Sequence, residues 1–221
     1  MEVWEKTFKK IGYDELKPDE NIVKLVPFLK KRKCRKILDL GCGAGRHMIY
    51  LGKKGFHMTG LDISSSALKL TEKWLKKEKV KDYSLVKHDM TKLSFPDESF
   101  DAVISVNVIH HNPLNKIKRT VNEIKRVLKK SGIAFITVNS TKDRKFKTGR
   151  KIEHNTYATP GSEHLPKIKG EIIHHFFDKA GIKKLFSQFK IIKIKEDIRD
   201  LNIEGKIKKN AHWIVLCQRG N

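Results

Sequence analysis

The sequence predicts an α/β fold, a doubly wound and mostly parallel sheet with helices on both faces, and three features point to it. From Lys36 onward short apolar runs alternate with longer amphipathic ones, the rhythm of strands joined by crossover helices. A glycine-rich turn follows the first apolar run. The last two apolar runs are joined by a link too short and too polar for a crossover helix, so they pair as an antiparallel hairpin at the sheet edge. The 221 residues suffice for one domain with a buried core.

The elements follow in order. Trp4 to Ile11 reads as a short helix, and Asp19 caps a second that runs to Lys31 after Pro18. "KILDLG" is the first strand, "GRHMIYLGKKG" a helix, "HMTGLDI" the second strand, and "SSALKLTEKWLKKE" a helix with a serine cap. "YSLVKHD" and "FDAVISV" are the third and fourth strands. "PLNKIKRTVNEIKRVLKKSG" places Ile117, Val121, Ile124 and Leu128 on one helical face and stops at Gly132, before the fifth strand "IAFITVN". From Ser140 to Glu171 no periodicity survives, and a loop of that length in a compact domain is usually functional or disordered. A helix "HHFFDKAGIKKLFSQ", the strand "FKIIKIK", a charged stretch and the strand "HWIVLCQ" complete the chain.

Composition narrows the class. Forty-eight Lys and Arg against 25 Asp and Glu give a net charge of +23, a field that draws polyanions. Lysine dominates and is spread through "KKRKCRK", "KKEKVK" and "KIKK", which suits a solvated surface as well as an anionic partner. Cys34, Cys42 and Cys217 form no C-x-x-C pair, against a disulfide scaffold or zinc ribbon; Cys42 reads as a compact filler within the glycine turn. No apolar stretch reaches the length of a membrane span and "MEVWEKTFKK" lacks the apolar core of a secretory signal, so a soluble, cytoplasmic protein with no membrane contact is expected. Nothing in the sequence sets an oligomeric state.

The turn "KILDLGCGAGRH" carries the chemistry. Gly41, Gly43 and Gly45 let the backbone approach a ligand and aim helix N–H groups at it. A dinucleotide fingerprint needs its third glycine where Arg46 stands, and no G-K-[ST] follows to make a P-loop. Asp39, at the end of the first strand, would repel a pyrophosphate and favour a ligand with positive charge, an amine or a sulfonium. Asp62 ends the second strand where a carboxylate reaches both ribose hydroxyls, and Asp89 ends the third, placed to accept from an adenine amine. Carboxylates at three consecutive strand ends line one crevice.

With "ILDLGCGAG", "GLDIS", "KHDM", "FDAVISVNVIHH" and "EIKRVLKKSGIAFITV" in order between Ile37 and Val138, the chain resembles the class I S-adenosylmethionine-dependent methyltransferases of the DLGCGxG group. The resemblance implies a seven-stranded Rossmann-like sheet whose last strand is antiparallel, with S-adenosylmethionine as cofactor and S-adenosylhomocysteine as product. It places Gly41, Gly43 and Gly45 against the methionine and ribose portions and Asp62, with Ile63, at the ribose diol. Asp89 and Met90 fall around the adenine, and Asp39 faces the amino group directly or through water. Arg46 is read as a structural residue at the helix start. "KKSG" departs from the family's usual Pro-Gly-Gly, which weakens a turn and leaves the cofactor site alone. The implied layout is a single methyltransferase domain over residues 1–221: a helical cap (1–33), a cofactor-binding core (34–139), an acceptor-selecting lid (140–172), and a C-terminal helix with its hairpin (173–221).

Methyl transfer is an in-line displacement, so the protein must chiefly hold the acceptor aligned and dry. His110, His111 and Asn107 follow the fourth strand and are the catalytic candidates, Asn107 also being a candidate for cofactor contact; the alternative for the histidines is to fold over the sheet end and bond backbone. His154, His164, His174, His175 and His212 match no zinc spacing, and no metal is expected. Trp4, Phe8 and Tyr13 either close over the cofactor or dock on the core. "KDRKFKTGRK" in the lid is basic with an interleaved aromatic, a solvated loop or a tracker of phosphates. A small-molecule acceptor is the expected partner. The alternatives are an RNA acceptor of the wobble-uridine type and a non-catalytic partner protein, against which the intact acidic trio argues.

Overall fold

The computed structural model describes residues 2–10, 17–160, 170–203 and 205–220. Helix α1 covers Glu2–Lys10 and α2 Glu20–Lys31, the latter capped by Asp19, whose Oδ1 accepts from the Asn21 N–H at 2.8 Å. Then come β1 (Lys36–Leu40), α3 (Arg46–Lys53), β2 (His57–Asp62), α4 (Ser65–Lys77), β3 (Tyr83–Lys87) and β4 (Phe100–Val106). Helix α5 (Leu114–Val127) passes directly into β5 (Leu128–Asn139). Three short strands follow, β6 (Arg150–Glu153), β7 (Thr156–Pro160) and β8 (Glu171–His175), and then α6 (Lys179–Leu185), β9 (Phe189–Ile203) and β10 (Lys206–Arg219).

The main sheet has the order β3-β2-β1-β4-β5-β10-β9. All neighbours through β5 are parallel, while β10 is antiparallel to both β5 and β9. This is the doubly wound arrangement expected, with its reversed final strand. Period-two alternation builds the core on both faces. Leu38, Val103, Ala134 and Ile136 join α5 and α6 on one side, and Ile37, Ala102, Ile104 and Phe135 join α2 and α3 on the other. The chain order reverses between β1 and β4, and the crevice of a doubly wound sheet opens beyond the carboxyl ends of strands at such a point. Among the described residues no helix is long and apolar enough to cross a membrane.

Four stretches differ from the sequence reading. Helix α5 ends at Val127 rather than running to Gly132: Leu128, fully buried, already pairs with Phe100 of β4. Ser131 then takes a left-handed φ of 60° in the turn where the family's glycines are missing. The segment after β5 is no featureless loop, because β6, β7 and β8 form a separate antiparallel sheet. "HHFF" does not open a helix either, since His174 and His175 end β8 and α6 begins only after Asp178, whose Oδ1 accepts from the Gly181 N–H at 2.7 Å. Finally, the charged stretch between the last two apolar runs is itself strand, making β9 and β10 one long hairpin turned at Gly205, φ 76°.

Gly41 opens the β1–α3 turn with φ 77°, and a Cβ there would stand 2.3 Å from Val108 Cγ1. Gly41→Ala is therefore expected to lower the unfolding free energy by at least the ~1–2 kcal/mol of a left-handed alanine, with the clash added. Combining it with Val108→Ala restores the clash component and leaves the backbone component, a split that denaturant titration of the two variants measures.

Candidate active site

Beyond the carboxyl ends of β1, β2 and β4 lies a cavity of about 530 Å³. Its floor is the β1–α3 turn. Gly41, Gly43 and Gly45 all adopt positive φ, at 77°, 56° and 87°, and only Gly41 and Gly43 line the cavity. Gly45 caps α3 instead, where a Cβ would meet Thr71 Cγ2 at 2.6 Å, so its bareness lets α3 start against α4. Cys42, 6% exposed, fills the space beneath the turn, and burial lifts its thiol well above the ordinary range, leaving it protonated.

The turn is held by the end of β2. The amides of Gly41 and Cys42 both donate to the Leu61 carbonyl, at 2.7 and 3.0 Å. Asp62 accepts from the Gly43 N–H through Oδ2 and from the Ser64 N–H through Oδ1, each at 2.9 Å. Burial raises its carboxyl above the usual range, and these amides offset that only in part. A carboxylate has roughly four lone-pair directions, so Asp62, on the cavity wall, retains capacity for two hydroxyls. Ile63 and Met90 line the same wall, with Asp89 beside them. Asp89 Oδ1 accepts from both the amide and the hydroxyl of Thr91 at 2.8 Å; burial pulls its carboxyl upward, and those bonds outweigh it and hold the group low.

Asp39 is 1% exposed and is not on the cavity wall. Its Oδ2 has no hydrogen-bond partner. The nearest group is Nδ1 of His47, 4.0 Å away, while Nε2 of that ring accepts from the Asp19 N–H at 3.3 Å. Burial pushes the Asp39 carboxyl up to about 7, with Arg46 opposing and Asp62 adding. His47 and Arg46 do line the cavity, and Asp39 lies behind them with its carboxyl drawn toward the neutral form.

The roof comes from α1, which brings Trp4 and Phe8 to the cavity. Glu5 ties this helix to α4: its carboxylate accepts from the Ser66 hydroxyl at 2.6 Å, the Ser64 hydroxyl at 2.8 Å and the Ser66 N–H at 3.2 Å. Those donors hold Glu5 down to about 2. Tyr13, a candidate for the same closure, lies outside the described residues.

On the acceptor side Asn107 and His111 line the cavity and His110 does not. Asn107 sits at φ 60°, its amide donating to Thr137 Oγ1 at 2.8 Å and its Oδ1 accepting from that hydroxyl at 3.0 Å. His111 Nδ1 faces the Ile173 carbonyl at 3.1 Å, and burial holds the ring down to about 4, hence neutral near pH 7. His110 is 2% exposed, and its carbonyl accepts from the His175 N–H at 2.8 Å. None of the described residues of the small sheet reaches the cavity wall; they buttress the two histidines from the other side. Asn112 and Lys116, also on the wall, escaped the sequence reading. They occupy the start of α5, where no motif spacing marks them.

The residues present fit a nucleoside with a cationic sulfur: a glycine floor, a β2 carboxylate with spare lone pairs, and an unpartnered buried carboxylate oxygen behind the turn. Residues 38–136 match the family model described as a methyltransferase domain. The chain carries a class I S-adenosylmethionine-dependent methyltransferase domain. A sterol 24-C-methyltransferase of Gibberella zeae is 38% identical over 100 residues, covering 44% of this chain and 26% of that protein. A ubiquinone biosynthesis O-methyltransferase of Pelagibacter ubique is 29% identical over 140 residues, 62% of this chain and 52% of that one. The methyltransferase domain thus spans about half or less of the length of these curated relatives. Among solved structures, a SAM-dependent methyltransferase from Methanosarcina mazei shares the fold with a TM-score of 0.73 at 22% identity, over 93% of this chain and 99% of that one.

The raised Asp39 carboxyl carries a sign that can be checked. Its proton is held more tightly in the folded chain than in the unfolded one, so wild type loses stability relative to Asp39→Asn as pH rises from about 4 to 7, and the gap is level above that. The full gap is on the order of 4 kcal/mol. Urea titrations of both proteins at pH 4.5, 6 and 8 measure it, and a gap that does not widen with pH removes the assignment.

Proposed function

We propose that this chain transfers a methyl group from S-adenosylmethionine to a small-molecule acceptor. The observation that carries the reading is the cavity itself: about 530 Å³, roofed by Trp4 and Phe8 and walled by Asp62 and Asn107, it falls within the ~300–1,000 Å³ range of small-molecule sites. The named relatives act on a sterol and in ubiquinone biosynthesis, which agrees with an acceptor of that scale. The excess positive charge favours an anionic acceptor or RNA, and the experiment below separates them.

When bound, S-adenosylmethionine supplies a methyl group on a positively charged sulfur. The chain's own residues do the rest. Asp62 takes the ribose hydroxyls on its spare lone pairs, Asp89 and Met90 flank the base, and the bare backbone of Gly41 and Gly43 lies against the methionine portion. A cationic sulfur in the cavity favours the ionised form of Asp39 behind the turn, where the low dielectric preserves its charge. Trp4 and Phe8 keep water out, and Glu5 holds them in place. Asn107 and His111 face the acceptor. His111, neutral near pH 7, orients a hydroxyl, amine or thiol by hydrogen bonding and is a weak base, so an acceptor that gives up its proton readily is favoured.

Asp62→Ala is expected to cost about 1–3 kcal/mol of affinity for S-adenosylhomocysteine, the loss of an acceptor for buried hydroxyls, read by calorimetry. Unchanged affinity would remove Asp62 from the site. For the acceptor, incubation with radiolabelled S-adenosylmethionine and fractionated cell extract should put label into the small-molecule pool. Label in RNA, destroyed by ribonuclease, would overturn the small-molecule reading and keep the methyltransferase.

A further inference from the structure

Beside the cavity three histidines from two separate segments meet in a nearly dry pocket. His110 and His111 come from the loop after β4, and His174 from β8 of the small sheet. One ring nitrogen from each can be chosen so that all three lie within 4.8 Å of one another. The His111 ring lies between the other two, its centroid 4.3 Å from that of His110 and 4.8 Å from that of His174, which are themselves 6.3 Å apart. His212 of β10 stands further out, its ring centroid 6.5 Å from that of His110.

Two of these side chains are left without partners where water does not reach. His110 is 2% exposed and His174 5% exposed, and Nδ1 of each is buried with no hydrogen bond. An orphaned polar atom in such a place is costly, so two of them in one pocket call for a common partner. Hydrogen bonding among the rings does not supply it. The third ring is oriented from outside: His111 Nδ1 faces the Ile173 carbonyl at 3.1 Å, the arrangement that fixes the tautomer of a ligating histidine.

We propose that His110, His111 and His174 bind one divalent transition-metal ion, with Zn²⁺ the ion that suits the donor set. Three imidazoles with a fourth position open is an arrangement zinc adopts, with Zn–N bonds of about 2.0–2.1 Å. Tetrahedral geometry then sets the ligand nitrogens roughly 3.4 Å apart, so the rings close in by an ångström or so. The ion would fasten the small sheet to the loop that carries Asn107 and His111. The site shares His111 with the cavity wall, while His110 and His174 lie behind it, so a bound ion would take the ring nitrogen of His111 that otherwise faces the acceptor.

The test uses the full chain stripped with a chelator and dialysed, titrated with zinc and cobalt salts against a chromophoric competitor. Wild type should take up one equivalent of Zn²⁺, and Co²⁺ should give the intense visible absorption of a four-coordinate site. His110→Ala and His174→Ala should each weaken uptake at least about tenfold, while His154→Ala, an exposed histidine outside the cluster, leaves it unchanged. Should the first two variants not fold, X-ray absorption of zinc-loaded wild type decides: imidazole scattering from three rings supports the site, and its absence overturns it. No stoichiometric uptake by wild type, or uptake that His154→Ala abolishes and His174→Ala does not, also overturns the proposal. S-adenosylhomocysteine binding measured on the same samples reports separately on the methyltransferase site.

Discussion

The bond between the Asp62 carboxylate and the Gly43 amide is the constraint on which the site rests. A turn of left-handed glycines has little conformational preference of its own, and its entropy in the unfolded chain is high. It becomes a defined surface here because the end of β2 grips it, through the Leu61 carbonyl on one side and Asp62 on the other. The same carboxylate accepts from Ser64, whose hydroxyl both caps α4 and donates to Glu5. One residue thus sets the floor, the adjoining helix and, through Glu5, the roof. Thr71, fully buried on α4, completes the grip by donating to the Gly43 carbonyl at 2.7 Å.

Charge around the site is arranged by burial more than by pairing. Asp39 has no hydrogen-bond partner on Oδ2 and is pushed toward neutrality, and His47 and His111 are driven to their uncharged forms. Glu5, by contrast, sits near solvent and stays ionised through three donors. A dry interior with a few unmatched groups is expensive to maintain, and such groups persist where a ligand completes them.

How much of this was readable in advance follows from which signals are local. The alternation of strands and helices and the glycine turn are local signals and fell where they were expected; of the strand-end aspartates Asp62 and Asp89 reach the cavity wall, whereas Asp39, expected in the same crevice, is buried behind it, as is Gly45. The small sheet was hidden because β6 and β7 are only four and five residues long and carry exposed polar positions. In β8 the alternation of buried Ile172 and His174 was masked by the histidine and phenylalanine pairs that end and follow it. The length of β9 and β10 was concealed by charged residues that a solvent-facing hairpin tolerates. The histidine cluster is the extreme case: its members lie some sixty residues apart in the chain, so no spacing rule reaches them, and only the pairing of Tyr157 with His174 and the bond from His175 to His110 bring β8 to that loop.

The sheet ends on β9, whose outer flank offers a row of backbone groups to solvent and exposes Ile191, Ile192 and Ile198. Such a border invites another strand to add itself. Lys190, Lys193 and Lys195 stand among those isoleucines along the same strand, so a second molecule approaching edge to edge meets like charge. Part of the surplus of basic residues therefore serves solubility, keeping neighbouring molecules from zipping into continuous sheets.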